Sequence, residues 1–221
     1  MPVAGMRVGV LLAGCGTHDG TEIGEALLTL LELERRGARA LPLVPPGDQM
    51  HVVDHASGDE VEDARRNMLS EAARLTRGQV ETLDSSTVTR LQALIIPGGS
   101  GVVKNLMTGT LQAGTPRRLL PPVQDLLVHC LEHGKPMGIM SVANFLLSGL
   151  VDSPVLPERA GTTHEPLVVD EEHRLVYAPA YLTARSLAEM AEGVSALVEL
   201  VLHFAGQPRS LPVVPAGGGD R

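Results

Sequence analysis

Gly134-Lys135-Pro136-Met137-Gly138-Ile139-Met140-Ser141-Val142-Ala143-Asn144 decides how this chain is read. Its apolar part, Met137 to Met140, has the length of a buried strand, and Gly134-Lys135-Pro136 sets it off from what precedes. Ser141 breaks the run with a small polar side chain, and a new apolar segment, Phe145 to Leu150, starts at once. A strand that turns straight into a helix lifts the residue at the bend out of the sheet, beside the amides that open the helix. That is the geometry of a nucleophile elbow. Such a bend holds its residue in a strained backbone conformation, a common mark of a working site. A buried strand entering a buried helix writes the same text without any chemistry, so both readings stand at this point.

Upstream, Met6 to Ala13 is a continuous apolar run, as expected of a central parallel strand covered on both faces. The Gly-rich loop Gly14 to Gly20 follows, and Thr21 or Asp19 can cap the next helix. Glu22 and Glu25 lie in its first turns, where the helix dipole favours anions, and Gly37 ends it. Ala38 to Val44 is a second strand. Pro45 to about Asp63 is polar and reads as an insertion, such as a hairpin. Arg65 to Gly78 has helical spacing and ends in Arg77-Gly78. A connection with a short helical piece spans Val80 to Thr89. Leu91 to Ile96 is a third strand, followed by Pro97-Gly98-Gly99-Ser100-Gly101, whose glycines let backbone amides approach a ligand. Pro116 to His133 is a helix capped by Gly134.

Downstream of the elbow, Asp152 to Glu165 reads as a Pro-rich loop. Leu167–Val169 and Leu175–Ala178 are short strands around a turn, and Ser186 to Phe204 is the last helix. Strands alternating with helices predict an α/β three-layer sandwich with a mainly parallel, flavodoxin-like sheet. Ligands bind such sheets at the carboxyl ends of the strands. Loop Gly14–Glu25, loop Gly98–Asn105 and Ser141 should meet there. One domain is expected over residues 1–206, with its insertion at about 45–64 and a disordered tail over 207–221.

Composition narrows the function. The net charge of −8 and pI near 5.4 argue against nucleic acid as a partner, which would demand clustered positive charge. No run is long enough to cross a bilayer, and Met1 is not followed by a signal-peptide pattern, so the expected location is cytoplasmic. Cys15 and Cys130 are expected as free thiols, Cys130 in the core. His51 and His55 lack a third ligand at convincing spacing, so no metal is expected.

With these segments placed, the chain resembles the ElbB-like branch of the ThiJ/PfpI superfamily, whose fold is that of class I glutamine amidotransferases. The resemblance rests on several stretches: Gly14-Cys15-Gly16, Asp19 to Ile23 with Glu25-Ala26, Gln49 to Val52 with Asp54-His55, Arg66-Asn67, Glu71 to Arg74, Arg77-Gly78, Pro97 to Gly99, Gly101, Lys104 to Leu106, Gly134 to Pro136, and Pro179 to Tyr181. It covers most of Met6 to Phe204. Two departures matter. The family's elbow carries a cysteine where this chain has Ser141. The family also has a further strand and helix before the segment resembling Thr163-His164, and Asp152 to Gly161 is too short to hold them. A wall of the pocket is therefore missing or replaced.

The resemblance implies a thiolate at the elbow hydrogen-bonded by a protonated glutamate from the first helix. Glu25 is the choice by spacing, with Glu22 second. It implies an oxyanion held by backbone amides of Gly99-Ser100 and Val142, glyoxalase-type conversion of small dicarbonyls to hydroxy acids without metal or organic cofactor, and a homodimer. A thiol, with a free pKa of about 8.5 that falls at a helix N-terminus, suits this chemistry. A serine gains almost nothing there and needs a base beside it. Glu25, His18 and His164 are the candidates for that base. Three readings follow: an enzyme in which Glu25 acts on a carbonyl substrate and Ser141 attacks or orients; a metabolite-binding or regulatory protein that lost catalysis; or a nucleophile shifted to Cys15. Lys104 either binds a substrate anion or lies in solvent, with Asn105 beside it. Asn144 either bonds substrate or caps the elbow helix.

Overall fold

The computed structural model describes residues 3–108, 117–160 and 166–207. His164 as a base, the Thr163-His164 segment, and residues 208–221 of the expected disordered tail lie outside the described residues. The strands are β1 (Arg7–Leu11), β2 (Arg39–Val44), β3 (Glu81–Thr82), β4 (Ala93–Ile96), β5 (Met107–Thr108), β6 (Arg118–Leu119), β7 (Met137–Met140), β8 (Val168–Asp170) and β9 (Leu175–Ala178). The α-helices are α1 (Ile23–Arg35), α2 (Met68–Thr76), α3 (Ser85–Thr89), α4 (Ser100–Asn105), α5 (Pro121–Glu132), α6 (Pro157–Ala160) and α7 (Leu187–Gly206).

Seven strands form one sheet in the order β3-β2-β1-β4-β7-β9-β8, and β5 pairs with β6 in a separate ribbon. Every neighbour in the large sheet is parallel except β8, which runs antiparallel to β9. The predicted α/β class and its flavodoxin-like sheet are therefore what the chain adopts. Right-handed crossovers put α1 and α2 on one face and α3 and α5 on the other. α1 packs on α7 and α2, and α3 on α5. The central strands β1, β4, β7 and β9 are almost entirely apolar and buried because helices cover both faces.

Several boundaries differ from the sequence reading. Helix α5 begins at Pro121, since Pro121-Pro122 suit a first turn that needs no amide donors; Arg118–Leu119 ahead of it are extended instead. Helix α2 begins at Met68, because the Asn67 side chain accepts from the Ser70 amide and caps it. Neither Thr21 nor Asp19 caps α1. Thr21 accepts from the Ala13 amide and Asp19 from the Val53 amide, and Glu22 takes the cap through the Glu25 amide at 2.6 Å. The insertion contains no named strand, only isolated bridges Asp48–Asn67 and Val53–Glu60. The elbow leads into a 3-10 helix, Ser141–Leu147. The segment after it is no open loop: α6 forms there, Val155 and Ala160 are buried, and Asn144 donates to the Val155 carbonyl at 3.0 Å.

Candidate functional site

The site lies at the carboxyl edge of β1, β4, β7 and β9. Strand β7 delivers Ser141 with φ of 45°, the left-handed conformation that an elbow requires and that costs a non-glycine residue energy. Strand β9 does the same two residues past its end: Ala180 has φ of 45°. These strained residues follow neighbouring parallel strands, in which Met140 pairs with Ala178. Glu25, in the first turn of α1, lies between what they present.

Glu25 is fully buried, as is Ser141. Its Oε2 accepts from the Gly98 amide at 2.6 Å and from the Ser141 hydroxyl at 3.4 Å, the latter long for a hydrogen bond. Its Oε1 accepts from the Tyr181 amide at 3.1 Å. Burial pushes the Glu25 carboxyl from an ordinary value of 4.5 up to about 7; the two amides oppose it, nearby Glu22 adds to it, and the Ser141 hydroxyl opposes it. A carboxyl poised there can accept a proton or return it near neutral pH. The close approach of Ser141 depends on Gly98, because a Cβ on that residue would overlap Oγ of Ser141. Burial, and then Glu25, also push the neighbouring Tyr177 phenol up to about 12.

The two glycine loops are laced together beside this pair. The Glu22 amide donates to the Gly98 carbonyl at 2.8 Å, and the Ser100 amide to the Thr17 carbonyl at 2.8 Å. Asn105, buried, donates to the carbonyls of Ala13 and Asp19 at 2.9 and 2.8 Å and accepts from the Met50 amide at 2.8 Å. It fastens the first loop to the insertion.

These bonds sort the predicted residues. Glu25 and Ser141 come together, as does the Gly98-Gly99 turn. The Ser100 amide is committed to Thr17 and is no oxyanion donor. Val142 opens the 3-10 helix, where the first amides have no partner within the helix; its amide and that of Gly99 are the remaining backbone candidates. Glu22 works as the cap of α1. Lys104 donates to the His18 carbonyl at 2.9 Å, which ties it to the loop. Asn105 and Asn144 spend their amides on backbone carbonyls. His18 is exposed; its amide donates to Nε2 of His55 at 3.3 Å and the two rings lie 5.1 Å apart. His51 pairs with Glu60 at 2.7 Å.

Both cysteines are free. Burial pushes the Cys15 thiol up and Glu71 adds to this, the reverse of what a nucleophile needs. Burial takes Cys130 to about 12, and it lies in the core. Among the described residues no group of three or more His, Cys, Asp or Glu could hold a metal. A cavity of about 760 Å³ lies between α1 and the β2–β3 edge, and none of the predicted site residues lines it.

Sequence reasoning missed the two amides that hold Glu25. Pro97-Gly98-Gly99 marked one as a close approach without saying to what. Pro179-Ala180-Tyr181 carried no signal for an anchor. It also missed Asp19, whose fully buried carboxylate accepts from Val53 and lies 3.8 Å from Arg66.

Comparison with known proteins fits this geometry. The human glutamine amidotransferase-like class 1 domain-containing protein 3, mitochondrial, is 32% identical over 232 residues, covering 94% of this chain and 86% of its own length. The ES1 protein homolog, mitochondrial, of Rattus norvegicus is 32% identical over 226 residues, covering 91% and 85%. The chain belongs to this ES1 family of glutamine amidotransferase-like proteins. No family model matches the chain. Among solved structures, an isoprenoid biosynthesis protein with amidotransferase-like domain from Ehrlichia chaffeensis superposes with a TM-score of 0.80 at 29% identity, covering 90% of this chain and 100% of that one. A ThiJ/PfpI domain protein from Brachyspira murdochii, at 12% identity and a TM-score of 0.51 over 90% of this chain and 96% of that one, shares the fold.

ES1 family membership corrects one expectation. The curated relatives are named as mitochondrial proteins, which overturns the cytoplasmic reading. Lack of a secretory pattern bears on secretion only, and it does not separate cytoplasm from mitochondrion. No helix among the described residues is long and apolar enough to cross a membrane.

Proposed function

We propose that this ES1-family chain is a small-molecule enzyme of the ElbB-like branch that acts on a carbonyl substrate in a glyoxalase-like way, with Glu25 as its general acid–base and Ser141 in the place of the elbow cysteine. One observation carries the reading: a buried carboxyl poised at about 7 touches the hydroxyl of a residue strained at the end of a central strand. Structural carboxylates are held low by their partners; this one is held near neutrality, as proton-transfer groups are.

The chemistry balances without an outside oxidant. The Ser141 oxygen adds to the aldehyde carbon of a 2-oxoaldehyde while Glu25 takes the hydroxyl proton. Moving the C–H proton from that carbon to the neighbouring carbonyl carbon turns the first into an ester carbonyl and the second into an alkoxide, which takes back the proton held by Glu25 and becomes an alcohol. Water then releases the hydroxy acid and restores Ser141. The amides of Gly99 and Val142 are the donors for the developing oxyanion. Full burial of the pair supports a very small substrate.

A second reading, a metabolite-binding protein without catalysis, is favoured by the burial of the Ser141 hydroxyl against Gly98. Incubation with methylglyoxal separates the two. Lactate formed by the wild type and lost in Glu25→Gln supports the enzyme. No product, together with thermal stabilisation by a small carbonyl compound, supports the binder. The family resemblance also leads us to propose a homodimer, which light scattering at the monomer mass would remove.

A further inference from the structure

We propose that Ala180 is a positioning residue of this site: its left-handed backbone turns the Tyr181 amide onto Glu25, and the carboxyl is thereby clamped with one oxygen facing Ser141. The inference rests on the reading that Glu25 is the general acid–base of the site, and it names what aims that group.

A glutamate side chain has several rotatable bonds, so burial alone leaves the plane of its carboxyl unset. Two amides set it. Gly98 donates to Oε2 at 2.6 Å and Tyr181 to Oε1 at 3.1 Å. They come from different strands: Gly98 follows the end of β4, and Tyr181 follows the end of β9. In the sheet β4 and β9 flank β7, which ends at Ser141. The two jaws of the clamp therefore sit on either side of the elbow. The carboxyl they hold presents Oε2 to the Ser141 hydroxyl at 3.4 Å.

Each jaw needs a special residue. The first is a glycine, because a Cβ there would overlap Oγ of Ser141. The second is reached through Ala180 at φ of 45°, a conformation that costs an alanine energy and persists only where its surroundings over-determine it. Five non-glycine residues among those described have positive φ, and only Ser141 and Ala180 of them are buried. The strain is thus gathered at this one contact, on the two sides of Glu25. In an ordinary right-handed or extended conformation, Ala180 would swing away the peptide that carries the Tyr181 N–H. Oε1 would then lose its partner, and the carboxyl could turn about the bond to Gly98.

The test reads Glu25 directly and uses the full chain. With glutamate isotope-labelled at its side-chain carboxyl carbon, the Glu25 resonance is the one that Glu25→Gln removes, and its NMR titration should have a midpoint at about 7. The Tyr181 N–H favours the ionised carboxyl, so losing it raises that midpoint. Replacing Tyr181 by its α-hydroxy acid turns the peptide between Ala180 and Tyr181 into an ester, which deletes the N–H and keeps the side chain. The midpoint should rise by about one unit. Ala180→Val, whose branched side chain refuses φ of 45°, should move it the same way. Ala180→Gly adopts that φ freely and should leave it in place. The acid limb of methylglyoxal turnover should follow the midpoint in each variant. A midpoint unmoved in the ester, or moved as far in Ala180→Gly as in Ala180→Val, overturns the proposal. Should Ala180→Val fail to fold, the ester decides. If wild-type protein leaves methylglyoxal intact, the enzymatic reading fails, and the NMR midpoints still decide the clamp.

Discussion

Glu25→Gln separates a poised carboxyl from an inert one by stability alone. In the folded chain Glu25 titrates at about 7, against an ordinary 4.5. Between those two values the folded state holds a proton that the unfolded state has released, so stability from this group falls as pH rises through the window. It is fully present below about 4.5 and gone above about 7. Integrated from above pH 8 down to pH 5, the two values give about 2.6 kcal/mol of added stability in the wild type. Glutamine does not titrate. The wild-type advantage over Glu25→Gln should therefore grow by that amount on acidification, while the groups common to both chains cancel. In a domain of this size the difference amounts to roughly 5–10 °C in Tm. Glutamine also offers one acceptor to two amides, Gly98 and Tyr181, which leaves one unpaired and lowers the variant at every pH by about 1–3 kcal/mol. Urea unfolding of both chains at half-unit pH steps from 5 to 8.5 measures both effects. A wild-type advantage that stays level across that range would refute the poised carboxyl, and with it the proton-transfer role.

Three further outcomes follow from particular contacts. Gly98→Ala places a methyl group on Oγ of Ser141 and must displace the elbow; a loss of at least about 3 kcal/mol in urea unfolding is expected, and a loss under 1 kcal/mol would show that the loop is not packed as described. Asn105→Ala removes three hydrogen bonds that fasten the first loop, two of them buried; about 3 kcal/mol of stability should go, with the loop becoming the first site of proteolysis. Cys15→Ala should keep wild-type turnover, and iodoacetamide should label Cys15 slowly at pH 7 because burial pushes its thiol up; rapid labelling with loss of activity would return the nucleophile to this loop.

Periodicity and punctuation by themselves determined the central strands and the long helices of this chain. Apolar runs at β1, β4 and β7, helical spacing along α1 and α7, and the glycines between them are local signals, and local signals suffice for an α/β sheet whose strands are buried on both faces. The meeting of Glu25 with Ser141 followed too, since the topology of such a sheet brings its carboxyl-edge loops together. What each polar residue does there could not be read along the chain. Lys104, Asn105 and Asn144 looked like ligand groups and are held by backbone carbonyls; the Ser100 amide looked free and is held by Thr17. Most of those partners lie more than eighty residues off in sequence, and a hydrogen bond made there leaves no mark on its neighbours. The tertiary structure alone decided that Gly98 and Tyr181 hold the carboxyl, because burial and pairing are properties of the space around a group. The titration of Glu25 near neutrality follows from those two properties, and from no feature of the sequence.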